Sequence, residues 1–272
     1  MVEGKFKVID AHCHIYPEKI AAKAVAGTDG FYGGTSVCLG SVSDLLNEGE
    51  KAGIDHFIVQ SVATTPRQVT SINEFIAASV AQSGGKMTGL GTVHPESEDY
   101  RGDIQRIVSL GLKGIKIHPD IQRFPIDDPG FMRIYELCER EGLIVLMHTG
   151  DHRYDYSNPN RLIPTLKAFP KMTVIGAHFG GWSLWDTIAA DLAGFQNLYV
   201  DSSSALPWIT PEAGARLVRA YGADRVLFGT DYPMWSPTEE LKRFHEMGLT
   251  DEEKEQIFCL NAQKLFKIDD SN

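Results

Sequence analysis

Eight short apolar runs punctuate this chain, at residues 6–14, 55–63, 87–94, 112–118, 143–148, 172–178, 198–203 and 226–231. Most are nearly unbroken in Val, Ile and Leu, the pattern of strands buried on both faces. Between them, apolar positions recur with helical period. Asp44 through Gly53 is one such segment. Ile72, Phe75, Ile76 and Val80 form a stripe that stops at Gly84-Gly85, and Ile104, Ile107 and Val108 form another before Gly111. Asp128-Pro129 opens a helix with proline at its first position, and Gly142 ends it. Thr210-Pro211 opens a further helix, Ser236-Pro237-Thr238-Glu239 reads as a capping box, and Glu252 to Phe266 reads as a closing helix. Strands alternating with helices at intervals of about 30 residues predict parallel βαβ units, and eight of them predict an α/β fold, a single (β/α)8 TIM barrel. Residues 15–43 break the rhythm. Rich in Gly and Ala, they read as a long loop, a lid or a subunit contact.

The polar residues that end these runs carry the chemistry. His12-Cys13-His14 closes the first run. Residues two apart on a strand share a face, so both imidazoles aim into one space, a bite for one transition metal. His148 closes the fifth run, His178 the sixth and Asp231 the eighth. Ligands at the carboxyl ends of several strands are how a barrel enzyme builds its site. His12, His14, His148 and Asp231 are the expected ligands of one divalent ion, most simply zinc, with a position left for water. Such an ion brings the pKa of its water to roughly 7, where Asp231 takes the proton and His178 assists as a catalytic non-ligand. Lys116 and His118, two apart on the fourth run, are candidate substrate-binding residues, with Arg153 as a second carboxylate anchor. Lys116 has two other readings, a carbamylated bridge between two metals or a partner of an acid such as Asp10. His94 is read as support behind the ligands. His56 and His245 are read as packed or solvated. Arg67, Arg123, Tyr154, Trp182, Trp208 and Trp235 follow strands in loops expected to ring the site, where packing alone also accounts for each.

Composition narrows the classes. With 272 residues, the chain has the length of one such barrel, and no Pro/Ser-rich linker divides it, so residues 1–272 are read as one domain. A net charge of −10 argues against nucleic acid, and no apolar run approaches the roughly 20 residues of a membrane span. Met1 to Lys5 lack a signal-peptide core, which makes a cytoplasmic location the default. The four cysteines at 13, 38, 138 and 259 form no disulfide framework. A small-molecule substrate is the expected partner, and a homo-oligomer is compatible with the sequence.

The pieces Ile9-Asp10-Ala11-His12-Cys13-His14, Gly114-Ile115-Lys116-Ile117-His118-Pro119, His148-Thr149-Gly150, Ala177-His178-Phe179-Gly180-Gly181, Gly229-Thr230-Asp231-Tyr232-Pro233 and Asn261-Ala262-Gln263-Lys264-Leu265-Phe266 stand in order from first strand to last helix. Together they resemble the amidohydrolase superfamily, in its amidohydrolase family 2 branch. The resemblance implies a divalent metal, usually zinc, on residues matching His12, His14, His148 and Asp231, and a catalytic histidine at His178. That branch holds hydrolases of C–O and C–N bonds, lactonases that work without metal, and non-oxidative decarboxylases of aromatic or muconate-type acids. The decarboxylases are generally longer, so hydrolysis of a small carboxylated substrate is the expected reaction and decarboxylation the alternative. A metal-free lactonase and a non-catalytic binding protein rank last. The related TatD-like nucleases carry a glutamate on the fourth strand, where this chain has Lys116-Ile117-His118.

Overall fold

The computed structural model describes residues 6–269, so the reading of Met1 to Lys5 lies outside the described residues. Every expected run contains a strand. These are β1 (Ile9–His14), β2 (His56–Gln60), β3 (Met87–Gly89), β4 (Gly91–Thr92), β5 (Gly114–Ile117), β6 (Ile144–Met147), β7 (Val174–Gly176), β8 (Leu198–Asp201) and β9 (Val226–Leu227). The third run is interrupted at Leu90 and yields β3 and β4. Helices fill the intervals, and strand–helix alternation of this kind is that of a (β/α)8 barrel. Every residue of β5, β6, β7 and β8 is buried, which is why their sequences do not alternate.

Two compact units are distinguished. The first comprises the chain up to Val59, Ser79–Thr88 and the chain from Ser202 onward; the second comprises Gln60–Ala78 and Gly89–Asp201. In the first unit the end of the chain returns to its start. Ala11 donates its N–H to Phe228 O at 2.8 Å, and His14 donates to Tyr232 O at 2.7 Å. Phe228, Phe244 and Phe258 pack ring against ring, with centroids 4.8 to 5.6 Å apart, and fix a helix beside the strand that leads to Asp231. In the second unit β4 to β8 pair in sequence order, all parallel, with Thr92 opposite Lys116 and Lys116 opposite Leu146.

The helices are α1 (Glu18–Tyr32), α2 (Val42–Ala52), α3 (Val69–Gln82), α4 (Tyr100–Ser109), α5 (Pro119–Gln122), α6 (Pro129–Glu141), α7 (Pro159–Ala168), α8 (Trp185–Leu192), α9 (Pro211–Tyr221), α10 (Pro237–Glu246), α11 (Asp251–Glu255) and α12 (Asn261–Phe266). Helix α6 starts and stops where its sequence predicts, with Asp128 Oδ1 accepting from Gly130 N and Gly142 left-handed at φ 67°. Two expectations are corrected. Residues 15–43 are not one long loop, because α1 occupies Glu18–Tyr32. Its alanines favour helix despite Gly27 and Gly30, and Gly33 ends it at φ 69°. Ser236 does not form a capping box: its side chain makes no cap bond, and Pro237 with its fixed φ starts α10 instead. A reciprocal box stands at Thr250/Glu253. The closing segment is helical but passes through a π turn at Gln256–Leu260 between α11 and α12.

Candidate metal centre

The first unit gathers His12, His14 and Asp231. His12 Nε2 lies 3.2 Å from His14 Nε2 and 3.3 Å from Asp231 Oδ1, and His14 Nε2 lies 3.5 Å from Asp231 Oδ1. A tetrahedral ion with ligand bonds of about 2.0–2.1 Å requires ligand atoms about 3.3 Å apart, so three facing atoms already stand on one face of such a tetrahedron. Their other atoms are held. Ser203 Oγ is 3.0 Å from His12 Nδ1, which suits an Nδ1–H tautomer that turns the Nε2 lone pair toward the group. Ser204 Oγ donates to Asp231 Oδ2 at 2.6 Å. The set of two imidazoles and one carboxylate, with His12 and Asp231 braced from behind, fits a divalent ion such as zinc or manganese.

The local sequence builds this arrangement. The β1 pleat puts His12 and His14 on one side. Asp10, between them and the strand start, accepts from His12 N, Thr230 N and Thr230 Oγ1. Burial pushes Asp10 up to about 6, against the lowering effect of the Thr230 hydroxyl. Asp231 follows with φ 59°, a left-handed conformation that costs a non-glycine residue about 1–3 kcal/mol and concentrates at functional sites.

The second unit holds a group of buried histidines. His148 Nδ1 is 2.9 Å from His178 Nε2, and its Nε2 is 2.8 Å from Gly150 O. The carbonyl fixes the proton on His148 Nε2, so His178 Nε2–H donates to His148 Nδ1. His118 stacks on His148 with centroids 4.0 Å apart, and Asp120 Oδ2 is 3.7 Å from His148 Nε2. Burial, then the neighbouring His118, His178 and Lys116, holds His148 well below the ordinary imidazole pKa and keeps it neutral. His118, Asp120 and His148 are themselves close enough to share an ion. His178 has φ 61° and Phe179 φ 52°. Asp201 clamps this turn, with Oδ1 accepting from His178 N at 3.0 Å and its carbonyl from Phe179 N at 2.6 Å.

The remaining expected residues fall as follows. His148, expected as a ligand with His12, His14 and Asp231, packs among His118, His178 and Asp120. Lys116 is buried, 1% exposed. Arg153 grips Asp151, with Nη2 at 2.7 Å from Oδ2 and Nε at 3.0 Å from Oδ1, and covers the ring of Tyr154. His94 packs its ring on Phe124 and accepts from Glu96 N. His56 pairs with Thr88 Oγ1 and His245 leans on Phe258, both packed as expected. Sequence reasoning missed Ser203, Ser204, Asp120 and Asp201. Ser202-Ser203-Ser204 at the end of the seventh run was the available signal for two of them.

A braced group of two imidazoles and a carboxylate on a (β/α)8 fold defines a metal-binding barrel of the amidohydrolase kind. A family profile described as Amidohydrolase matches residues 9–268, and the chain belongs to that family. A 2-amino-3-carboxymuconate-6-semialdehyde decarboxylase from Dictyostelium discoideum is 28% identical over 73% of this chain. The chain spans 66% of that relative, just under two thirds of its length. Among solved structures, an uncharacterised TIM-barrel protein from Bordetella bronchiseptica is 23% identical with a TM-score of 0.79, over 96% of this chain and 99% of the other. A 5-carboxyvanillate decarboxylase from Novosphingobium aromaticivorans, complexed with manganese and 4-hydroxy-3-methoxy-5-nitrobenzoic acid, is 17% identical with a TM-score of 0.77, over 97% of each chain. These likenesses establish the fold.

Proposed function

We propose that this protein is a metal-dependent, non-oxidative decarboxylase of a small aromatic or muconate-type carboxylic acid. The group of His12, His14 and Asp231 carries this reading, in a chain similar to decarboxylases of such acids. The expectation of hydrolysis rested on length, and the likeness to decarboxylases supports the alternative in its place. A divalent ion held by these residues, zinc or manganese, would supply positive charge that orients the acid and offsets the charge developing on it.

The chain's own residues do the rest. His12 and His14 each offer Nε2, and Asp231 offers Oδ1. Because Ser204 occupies Asp231 Oδ2, that carboxylate is poorly placed to give a proton to carbon. His178 takes this role: the bond to the departing carboxylate breaks, its electron pair stays on carbon, and a proton from the His178 ring replaces it. Neutral His148 orients His178 through the 2.9 Å bond. Lys116, His118 and Arg153 remain the residues for recognising the acid. Residues 1–272 act as one catalytic domain in this reading.

Incubating the purified protein with substituted benzoates and muconate-type acids tests it, with carbon dioxide and acid release followed separately. Carbon dioxide should appear in step with loss of substrate and stop when the metal is chelated. Acid release from lactones or amides with no carbon dioxide from any carboxylic acid would restore the hydrolase assignment.

A further inference from the structure

Outside the ligand group, one line of contacts leads to the rear oxygen of Asp231. Ser204 Oγ donates to Asp231 Oδ2 at 2.6 Å. That hydroxyl spends its only proton there, and its lone pair accepts from Trp235 Nε1–H at 2.9 Å. The indole of Trp235 is held in turn. The Arg243 guanidinium lies over its ring at 5.9 Å, and Trp208 meets it edge-on with centroids 6.4 Å apart. Arg243 is anchored by its Nη1, which donates to Glu240 Oε1 at 2.6 Å, and Glu240 is fully buried on α10. All these residues belong to the first unit.

The direction of the bonds matters. An indole N–H can only donate, so it takes the serine lone pair and fixes which way the serine proton points. Without it, the Ser204 hydroxyl can rotate away, and the Asp231 carboxylate can turn about its last torsion. Asp231 already carries a left-handed backbone, so side-chain bonds are what hold its Oδ1 toward His12 and His14.

We propose that Trp235 is a positioning residue for the metal centre, acting through Ser204 to aim Asp231 Oδ1 at the space it shares with His12 and His14. This rests on the reading of those three residues as ligands.

Direct titration of the metal-stripped full chain with Co²⁺ tests it, read by the dissociation constant and by the visible d–d band, with no activity assay. Partners behind a ligand are worth about 10–100-fold in metal affinity. Ser204→Ala should weaken Co²⁺ binding by about that much and shift the band. Trp235→Phe keeps a ring under Arg243 and removes only the N–H, and should weaken binding by about 3–10-fold. Ser204→Thr keeps the hydroxyl and should restore affinity to within about 3-fold of wild type. The double variant Ser204→Ala/Trp235→Phe should bind no worse than Ser204→Ala alone, because the indole acts through the hydroxyl. Ser204→Ala is a small change at a small residue and keeps the test sound if Trp235→Phe folds poorly. Unchanged affinity and band in Ser204→Ala or folded Trp235→Phe, or losses that multiply in the double variant, would overturn the proposal. Asp231→Asn separates the two levels. If wild type and Asp231→Asn bind Co²⁺ equally weakly, the metal reading fails and takes this proposal with it. If only Asp231→Asn loses binding, the metal reading stands and the positioning role fails.

Discussion

At the scale of single residues, chemistry and strain coincide. His178 and Asp231 each hold a left-handed backbone that glycine would adopt freely, and each is pinned by a neighbour, Asp201 for one and Ser204 for the other. Their separate environments predict separate phenotypes. His12→Ala and Asp231→Asn should abolish stoichiometric metal, measured by elemental analysis after dialysis, and with it turnover. His178→Asn should keep the metal and lower kcat on the order of 100-fold or more, the usual contribution of a positioned proton donor. If His178→Asn decarboxylates at the wild-type rate, the proton comes from elsewhere. The histidines and Asp231 were legible in the sequence because each ends an apolar run, where a polar residue has no packing role. Asp201, inside its run, was not, and the serines that follow it gave only the weak signal of hydroxyls that also serve as ordinary turn residues. They act through partners 23, 191 and 27 positions away, and nothing periodic announces such a contact.

At the scale of elements, buried two-sided strands gave unbroken apolar runs, and so all eight were readable. Helix α1 was hidden by its own composition, since Gly27 and Gly30 inside an alanine-rich stretch weaken the helical signal. Its burial is slight, with Ala21 its one buried residue, so it also lacks a strong apolar stripe. Helix α2 shows how closely an element is fitted to its strand. Gly49 is buried on α2, and a Cβ there would lie 2.1 Å from Phe57 Cζ on β2. Gly49→Ala gains about 1 kcal/mol of helix propensity. The clash with the ring should outweigh it and leave a net loss of about 1–2 kcal/mol, because overpacking a core costs about 1–3 kcal/mol. Urea unfolding measures this, and a stabilised variant would show that Phe57 has room to move.

At the scale of the whole molecule, buried carboxyls set the response to pH. Burial pushes Glu240 up to about 7, reinforced by Asp10 and Asp231 and opposed by Arg243, and burial likewise raises Asp120 to about 6. Below the unfolded carboxyl pKa both states are protonated and nothing is lost. As pH rises from there to about 7, the unfolded chain releases its proton first, so stability falls across that window. For Glu240 the loss approaches about 3 kcal/mol at full ionisation, at 1.36 kcal/mol per pKa unit. Glu240→Gln should therefore unfold at higher temperature than wild type at pH 8 and gain little at pH 4.5. A gain of equal size at both values would mean that Glu240 does not titrate in this range. The first unit, finally, is drawn from segments far apart in the chain, and His14 finds its partner Tyr232 only when that much later residue has been made. During synthesis, at about 5–20 residues per second, His12 and His14 leave the ribosome some ten seconds or more before Asp231. A nascent chain halted before that residue carries the two imidazoles of β1 without the carboxylate proposed to join them. On the proposed ligand set, metal capture is then a late event in synthesis, and it marks chains that have been translated past Asp231.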